Sequence, residues 1–326
     1  MTAADRPTTR AELQRVILGQ ETGLTSDEVA RRSGMTVADA RRLWRALGFP
    51  DPGEEAAFGD ADADALAAIG AAVGGGLDLD TIVRMTRAVG QTVARLAAWE
   101  IAILRGEIEQ LASDRRLAEA RTMVETIGPE FEALLVYAWR RHLAAAVSRL
   151  ELLGDHDEDQ QVAEATVGFA DLVSFTALTN QLDEDEIGDL VEIFESRCHD
   201  VVADRHGRVV KTLGDSVLFL ADSPEEGIDI ALDIIGVIGR DERLPDVRLG
   251  LATGPVVLRM GDVYGPSVNL AARLTTVARR NRVIIDEHTA ELLSDLEFET
   301  RRLPARPVRG FGDIEPITVR RTRPRH

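Results

Sequence analysis

The amino-acid sequence predicts an all-α domain over residues 1–153, a linker at 154–163 and an α+β domain over 164–326. Three observations carry this. The chain has 326 residues, too many for one ordinary domain and suited to two, and 44% of them are hydrophobic, enough for two cores. Up to residue 153 the apolar residues recur at helical spacing. After the polar, acidic stretch Gly154-Asp155-His156-Asp157-Glu158-Asp159-Gln160-Gln161, β-branched runs alternate with helical ones. The order there is strand, helices, antiparallel hairpin, helix, strand, which suggests an α+β layer rather than a doubly wound sheet.

Charge and cysteine narrow the function. The formal charge is −18, and it is uneven. Residues 1–150 hold 18 Arg against 22 Asp and Glu; residues 151–326 hold 20 Lys and Arg against 34. Such a surface argues against a general nucleic-acid or anionic-membrane binder, and an acidic half that handles a polyanion needs metal ions to do it. The one cysteine, Cys198, leaves no internal disulfide and fits a reducing compartment. No apolar run is long enough for a membrane span and no signal-peptide pattern opens the chain, so a cytoplasmic protein is expected.

In the first half, the pattern turns helical from Ala11. Thr25-Ser26-Asp27-Glu28 signals a helix start, and 26–32, the Gly34 turn and 37–47 read as helix, turn, helix. This segment, 25–48, is similar to a helix-turn-helix of the MerR type, and Arg31, Arg32, Arg41, Arg42 and Arg45 are its candidates for phosphates. The net-acidic domain around it, with no second basic element, favours protein contacts over DNA. Helices follow at 61–73 and 78–111. Ile82, Met85, Val89, Val93, Leu96, Ala97 and Ile101 form a stripe on the second. Pro129 is read as opening a last helix, 130–153, with Phe131, Leu134, Leu135, Ala138, His142 and Val147 on one side. These stripes suit a bundle core or a dimer interface. An apolar bundle also has room for a fatty-acid chain.

In the second half, strands are predicted at 165–172, 208–221 as a hairpin, 247–253, 255–260 and 282–286, with 287–293, 298–303 and 306–317 closing the domain. Helices are predicted at 175–182, 185–206, 224–240 and 266–278.

The candidate chemistry sits between these elements. Asp171 ends an apolar strand and Asp215 lies at the hairpin tip. Two acids at the ends of adjacent strands are able to share two divalent cations for displacement at phosphorus, and Mg²⁺ accepts one or two carboxylates plus substrate phosphates. The strand-to-helix turn through Phe175 and Thr176 offers backbone N–H groups to phosphate oxygens. Lys211 is the only lysine of the chain. A chain that writes every other cation as Arg keeps here a compact point donor instead of a flat fork. Asn269 and Arg273 are four apart on a helix opened by Pro266, so they share a face, where an amide and a guanidinium are able to orient a sugar and clamp a phosphoryl group.

Phe169-Ala170-Asp171-Leu172-Val173-Ser174-Phe175-Thr176, Val210-Lys211-Thr212-Leu213-Gly214-Asp215-Ser216 and Asp262-Val263-Tyr264-Gly265 with Asn269 and Arg273 together resemble the class III nucleotidyl cyclases. The likeness runs over residues 160–320 and rests on the ordered set. It implies a ferredoxin-like catalytic domain that turns ATP into 3′,5′-cyclic AMP and pyrophosphate. In it Asp171 and Asp215, with the Leu172 carbonyl, hold two Mg²⁺ or Mn²⁺. Lys211 and Asp262 read adenine, Asn269 positions the ribose and Arg273 stabilises the phosphorus transition state. It also implies a head-to-tail homodimer whose two sites each take metal acids from one copy and base, ribose and phosphate contacts from the other. Two departures stand out. Arg309 takes the place of a lysine that contacts the terminal phosphates in the family, and the segment from Gly254-Pro255 to Asp262 is short. Residues 1–153 are similar to the helical regulatory domain of soluble actinobacterial cyclases, some of them pH-responsive. That makes His142 and His156 candidate titrating groups. The rival readings are a guanylate or relaxed-specificity cyclase, and a DNA-binding regulator with a degenerate cyclase domain as nucleotide sensor.

Overall fold

Thr25 starts a helix as its neighbours predict. Its hydroxyl accepts the Glu28 N–H at 3.3 Å, and the Glu28 carboxylate accepts the Thr25 N–H at 2.9 Å. The computed structural model that shows this describes residues 9–50, 53–109, 115–152, 162–259 and 261–322. The chain divides into two units, Met1–Glu151 and Leu152–His326. Of the linker expected at 154–163, only 162 and 163 lie among the described residues, and they already belong to a strand; His156 lies outside them.

The first unit holds α1 (Arg10–Leu18), α2 (Ser26–Ser33), α3 (Val37–Leu47), α4 (Asp60–Gly74), α5 (Leu79–Glu109) and α6 (Arg116–Leu152). Its core gathers Val29, Ala40, Leu43, Leu66 and Ile82 around Trp44 and Phe58, whose rings stack 4.2 Å apart. Two expectations change. Pro129 does not open the last helix; it lies inside α6. The segment before it is rich in Ala, Leu, Glu and Arg and carries an Arg121–Glu125 pair at 2.8 Å, and a proline there removes only one N–H donor. Beyond Ile82, which lies in the core, much of the stripes on the long helices is not bundle core within this chain: Met85, Val89, Val93 and Ile101 on α5 and Leu134, Leu135 and Val147 on α6 are exposed. In the helix-turn-helix segment, Arg32 meets Asp60 at 2.5 Å, Arg42 meets Asp80 at 2.5 Å and Arg41 meets Asp27 at 3.8 Å. Three of the five arginines proposed for phosphates are engaged by carboxylates of the same unit.

The second unit runs β1 (Val162–Leu172), α7 (Phe175–Thr179), α8 (Glu184–Asp204), β2 (Arg208–Leu213), β3 (Ser216–Ala221), α9 (Pro224–Ile238), β4 (Val247–Arg259), β5 (Asp262–Tyr264), α10 (Pro266–Val277), β6 (Val283–Ile285), α11 (Glu287–Leu292), β7 (Phe298–Arg302), β8 (Arg306–Val308), β9 (Gly312–Ile314) and β10 (Ile317–Arg321). The main sheet has the order β2-β3-β1-β4-β6-β10-β7, with β5 paired to β4; β8 and β9 form a separate hairpin. β1 is antiparallel to both β3 and β4 and occupies the middle of the site-bearing half.

Alternation sorts the side chains of this sheet onto two faces. Ala170, Leu172, Val217, Phe219, Leu249 and Leu251 turn to the face packed by α8 and α9. Ala165, Val167, Leu218, Leu220 and Ala252 turn to the face packed by α10, through Ala271 and Leu274. α10 lies close: a Cβ on Gly250 would stand 2.2 Å from the Thr275 backbone nitrogen, so no larger residue fits under the helix. The two strands predicted at 247–253 and 255–260 are one. β4 runs through Gly254-Pro255 because Pro255 pairs only with Glu164 of β1, while β6 pairs with β4 no further than Leu251; the missing N–H costs no ladder bond.

Candidate active site

The β2–β3 hairpin sets the site. Leu213 pairs with Ser216, so Gly214 and Asp215 are its two turn residues, and Gly214 supplies the left-handed φ of +64° at the first of them. A register shift between Val209 and Lys211 pairs Lys211 with Leu218 and leaves Val210 as the extra residue of the strand. Such a bulge re-aims a side chain. Lys211 thereby joins Leu218 on the α10 face, where its Nζ donates to Asp262 Oδ2 at 2.6 Å. The two side chains are about one-third and one-quarter exposed. Asp262 comes from β5, which returns antiparallel along β4 through the Leu258–Val263 and Arg259–Asp262 pairs. Its Oδ1 also accepts the Val263 N–H at 2.8 Å. Partial burial pushes the Asp262 carboxyl up, but the bonds from Lys211, Val263 and the Tyr264 side chain outweigh it and hold it below the ordinary carboxylate range.

Asp171 is on the same face, near the end of β1. It pairs with Ser216 of β3 on one side and Arg248 of β4 on the other. Ser216 Oγ donates to Asp171 Oδ1, while Arg248 Nε and Nη2 both reach Oδ2, at 2.7 and 2.6 Å. Asp215 is tied in by its carbonyl, which accepts the Leu172 N–H at 3.0 Å. Burial first, then the charge of Asp171, pushes the Asp215 carboxyl upward, with Arg248 opposing. Two acids that repel each other form a set of acceptors suited to cations. Among the described residues no group of three or more His, Cys, Asp or Glu converges. Asp171 and Asp215 are two carboxylates, a number that suits Mg²⁺ when phosphates supply other oxygens. Leu172 itself is buried, with its side chain in the core.

The other predicted residues are distributed around these two groups. Asn269 and Arg273 lie on α10, both exposed, and among the described residues neither side chain has a hydrogen-bonding or ionic partner. Phe175 and Thr176 open α7, after Ser174 in the left-handed region at φ +61°; Phe175 packs on the core below. Arg309 is exposed at the β8–β9 turn. From the ladder register, Lys211 sits on the row of Phe169, two residues from the row of Asp171 and two strands away, roughly 12 Å between Cα atoms. The Lys211–Asp262 pair and Asp171 are thus separate positions on one face. Sequence reasoning missed Arg248, Ser216 and the contact of Tyr264. Arg248 left a readable sign, a charge inside the otherwise apolar run Val247-Arg248-Leu249-Gly250-Leu251-Ala252.

Comparison with known proteins matches both units. Residues 158–320 match the family described as the adenylate and guanylate cyclase catalytic domain, and residues 2–143 match the adenylate cyclase regulatory domain. An adenylate cyclase of Streptomyces coelicolor is 40% identical over 95% of this chain and 89% of its own. One from Glutamicibacter nicotianae is 37% identical over 95% of this chain and 82% of its own. A pH-sensitive adenylate cyclase of Mycobacterium tuberculosis is 27% identical over 92% of this chain and 79% of its own. Among the described residues no helix is long and apolar enough to cross a membrane.

Proposed function

Because the chain belongs to the class III nucleotidyl cyclases and carries their adenylate cyclase regulatory domain, we propose that it converts ATP into 3′,5′-cyclic AMP and pyrophosphate at sites shared by two copies. The observation that carries this reading is the meeting of Lys211 and Asp262 at 2.6 Å on the face that also bears Asp171. A lysine donates to adenine N1, and a carboxylate accepts from the exocyclic amine. Guanine offers the opposite pattern and would set donor against donor and acceptor against acceptor, an expensive mismatch in a half-buried site.

Asp171 and Asp215 would hold Mg²⁺ or Mn²⁺, whose chemistry is to activate the attacking oxygen and neutralise the leaving phosphates. Asn269 orients the ribose so that its 3′-oxygen faces the α-phosphorus. Attack there forms the cyclic ester, breaks the bond to the β-phosphate oxygen and releases pyrophosphate, while the 3′-hydroxyl proton passes to solvent. Arg273, one turn further along α10, stabilises the charge gathered on the phosphorus. Backbone N–H groups at Phe175 and Thr176, and Arg309, serve the phosphates.

Two surfaces support a homodimer. Val162, Val257 and Tyr264 form an exposed apolar row across β1, β4 and β5. The exposed stripes of α5 and α6 provide a second such surface. The N-terminal unit acts as the regulator, with pH as one candidate signal; His142 lies exposed on α6. A DNA contact through the helix-turn-helix segment is disfavoured by the carboxylates on Arg32, Arg41 and Arg42. The test is turnover of ATP and GTP with Mn²⁺ and with excess EDTA. Cyclic AMP is the expected product, lost with EDTA. Equal turnover of GTP contradicts the base-reading assignment.

A further inference from the structure

Arg248 has no place in the scheme so far, although its surroundings are specific. It rises from the core strand β4, on the ladder row of Asp171, and is about one-third exposed. Among the described residues Asp171 is its one ionic partner. The row Ser216–Asp171–Arg248 crosses three adjacent strands, so Asp171 is gripped from both sides. A carboxylate has about four lone-pair directions. Arg248 Nε and Nη2 approach Oδ2 from the same side and take one direction there, and the Ser216 hydroxyl takes one on Oδ1. One direction on each oxygen is left. With bonds on both oxygens the carboxylate plane cannot turn about its Cβ–Cγ bond.

We propose that Arg248, aided by Ser216, is the positioning residue that fixes the Asp171 carboxylate and keeps its remaining lone pairs aimed at a divalent cation. This rests on the metal role of Asp171 proposed above. The competing explanation is an ion pair that only steadies the sheet. The two differ in what a lysine does at 248. Lys keeps the charge but replaces two N–H groups in a fixed fork by one mobile ammonium, so the sheet keeps its ion pair while the carboxylate regains rotation.

The experiment titrates the full chain with Mn²⁺ alone, reading free Mn²⁺ by electron paramagnetic resonance, alongside thermal melting. Asp171→Asn defines the site of interest against weaker binding elsewhere on the acidic surface. Arg248→Lys is expected to weaken that Asp171-dependent binding by about tenfold, the scale of losing a group that orients a metal ligand. Its melting temperature should stay close to that of the unchanged chain. Ser216→Ala should weaken the binding several-fold in the same direction. Loss of Mn²⁺ binding in Asp171→Asn together with undiminished affinity in Arg248→Lys overturns the role of Arg248 and spares the metal site. Undiminished binding in Asp171→Asn overturns the metal site and this inference with it. Should Arg248→Lys fail to fold, Ser216→Ala decides: undiminished affinity there overturns the proposal.

Discussion

Lys211 and Asp262 stand 51 residues apart in sequence and meet at 2.6 Å. Their partnership makes a sharp prediction. Lys211→Ala leaves Asp262 half-buried without its cation and removes the donor to adenine. It should lower kcat/KM for ATP by about 10²-fold or more while leaving GTP no better a substrate. Arg273 is different. It is exposed, with no partner among the described residues, and its proposed work is confined to the transition state. Arg273→Ala should reduce kcat by about 10²–10³-fold with little change in KM, measured under saturating Mn²⁺. An unchanged kcat would remove Arg273 from the phosphoryl site. The two residues were readable from sequence because each lies in a short ordered motif. Arg248 was not, because nothing local in a strand says which carboxylate the neighbouring strand will put beside it. The Lys211 bulge was hidden for the same reason: a register shift belongs to two strands at once.

At the scale of elements, the strands and turn of the hairpin were legible. Two β-branched runs around Leu213-Gly214-Asp215-Ser216 specify both strands and the turn. The prolines misled. At 129 and 255 the residue type argues for a boundary, but a long helix absorbs one missing donor and a strand with an open edge loses none. The start of α11 offers a test of burial energetics. Asp286 caps this helix, accepting the Thr289 N–H at 3.3 Å, and is buried. Burial pushes its carboxyl above the ordinary range, with the bonds from Thr289 pulling the other way. A carboxyl raised in the folded state destabilises the fold in its charged form. That cost is absent below the ordinary carboxylate pKa, grows as pH rises through the raised value, and is full above it. Asp286→Asn keeps the cap and removes the charge. Its melting temperature should exceed that of the unchanged chain at pH 7.5, with the gain shrinking towards pH 4. A gain that is larger at pH 4 contradicts the account.

For the whole molecule, two textures of sequence gave two units, and the acidic excess of the second half pointed to metal-assisted handling of phosphates. The exposed stripes on α5 and α6 show where a single chain stops being informative. The apolar periodicity was readable, but the partner proposed for it is a second copy, which no single sequence displays. If residues 1–153 regulate the catalytic half, a chain restricted to 154–326 should show a pH–activity profile different from that of the full protein. Superimposable profiles would end the pH-sensing reading. The central claim is that Lys211 and Asp215, on one hairpin, serve different sites, and mixing tests it most directly. Lys211→Ala and Asp215→Ala are each expected to be inactive. Co-expressed with two affinity tags, they form mixed dimers that retain one intact composite site. Random pairing should restore about one quarter of full cyclic AMP synthesis with Mn²⁺. No activity in dimers shown by both tags to be mixed would contradict a site built from two copies.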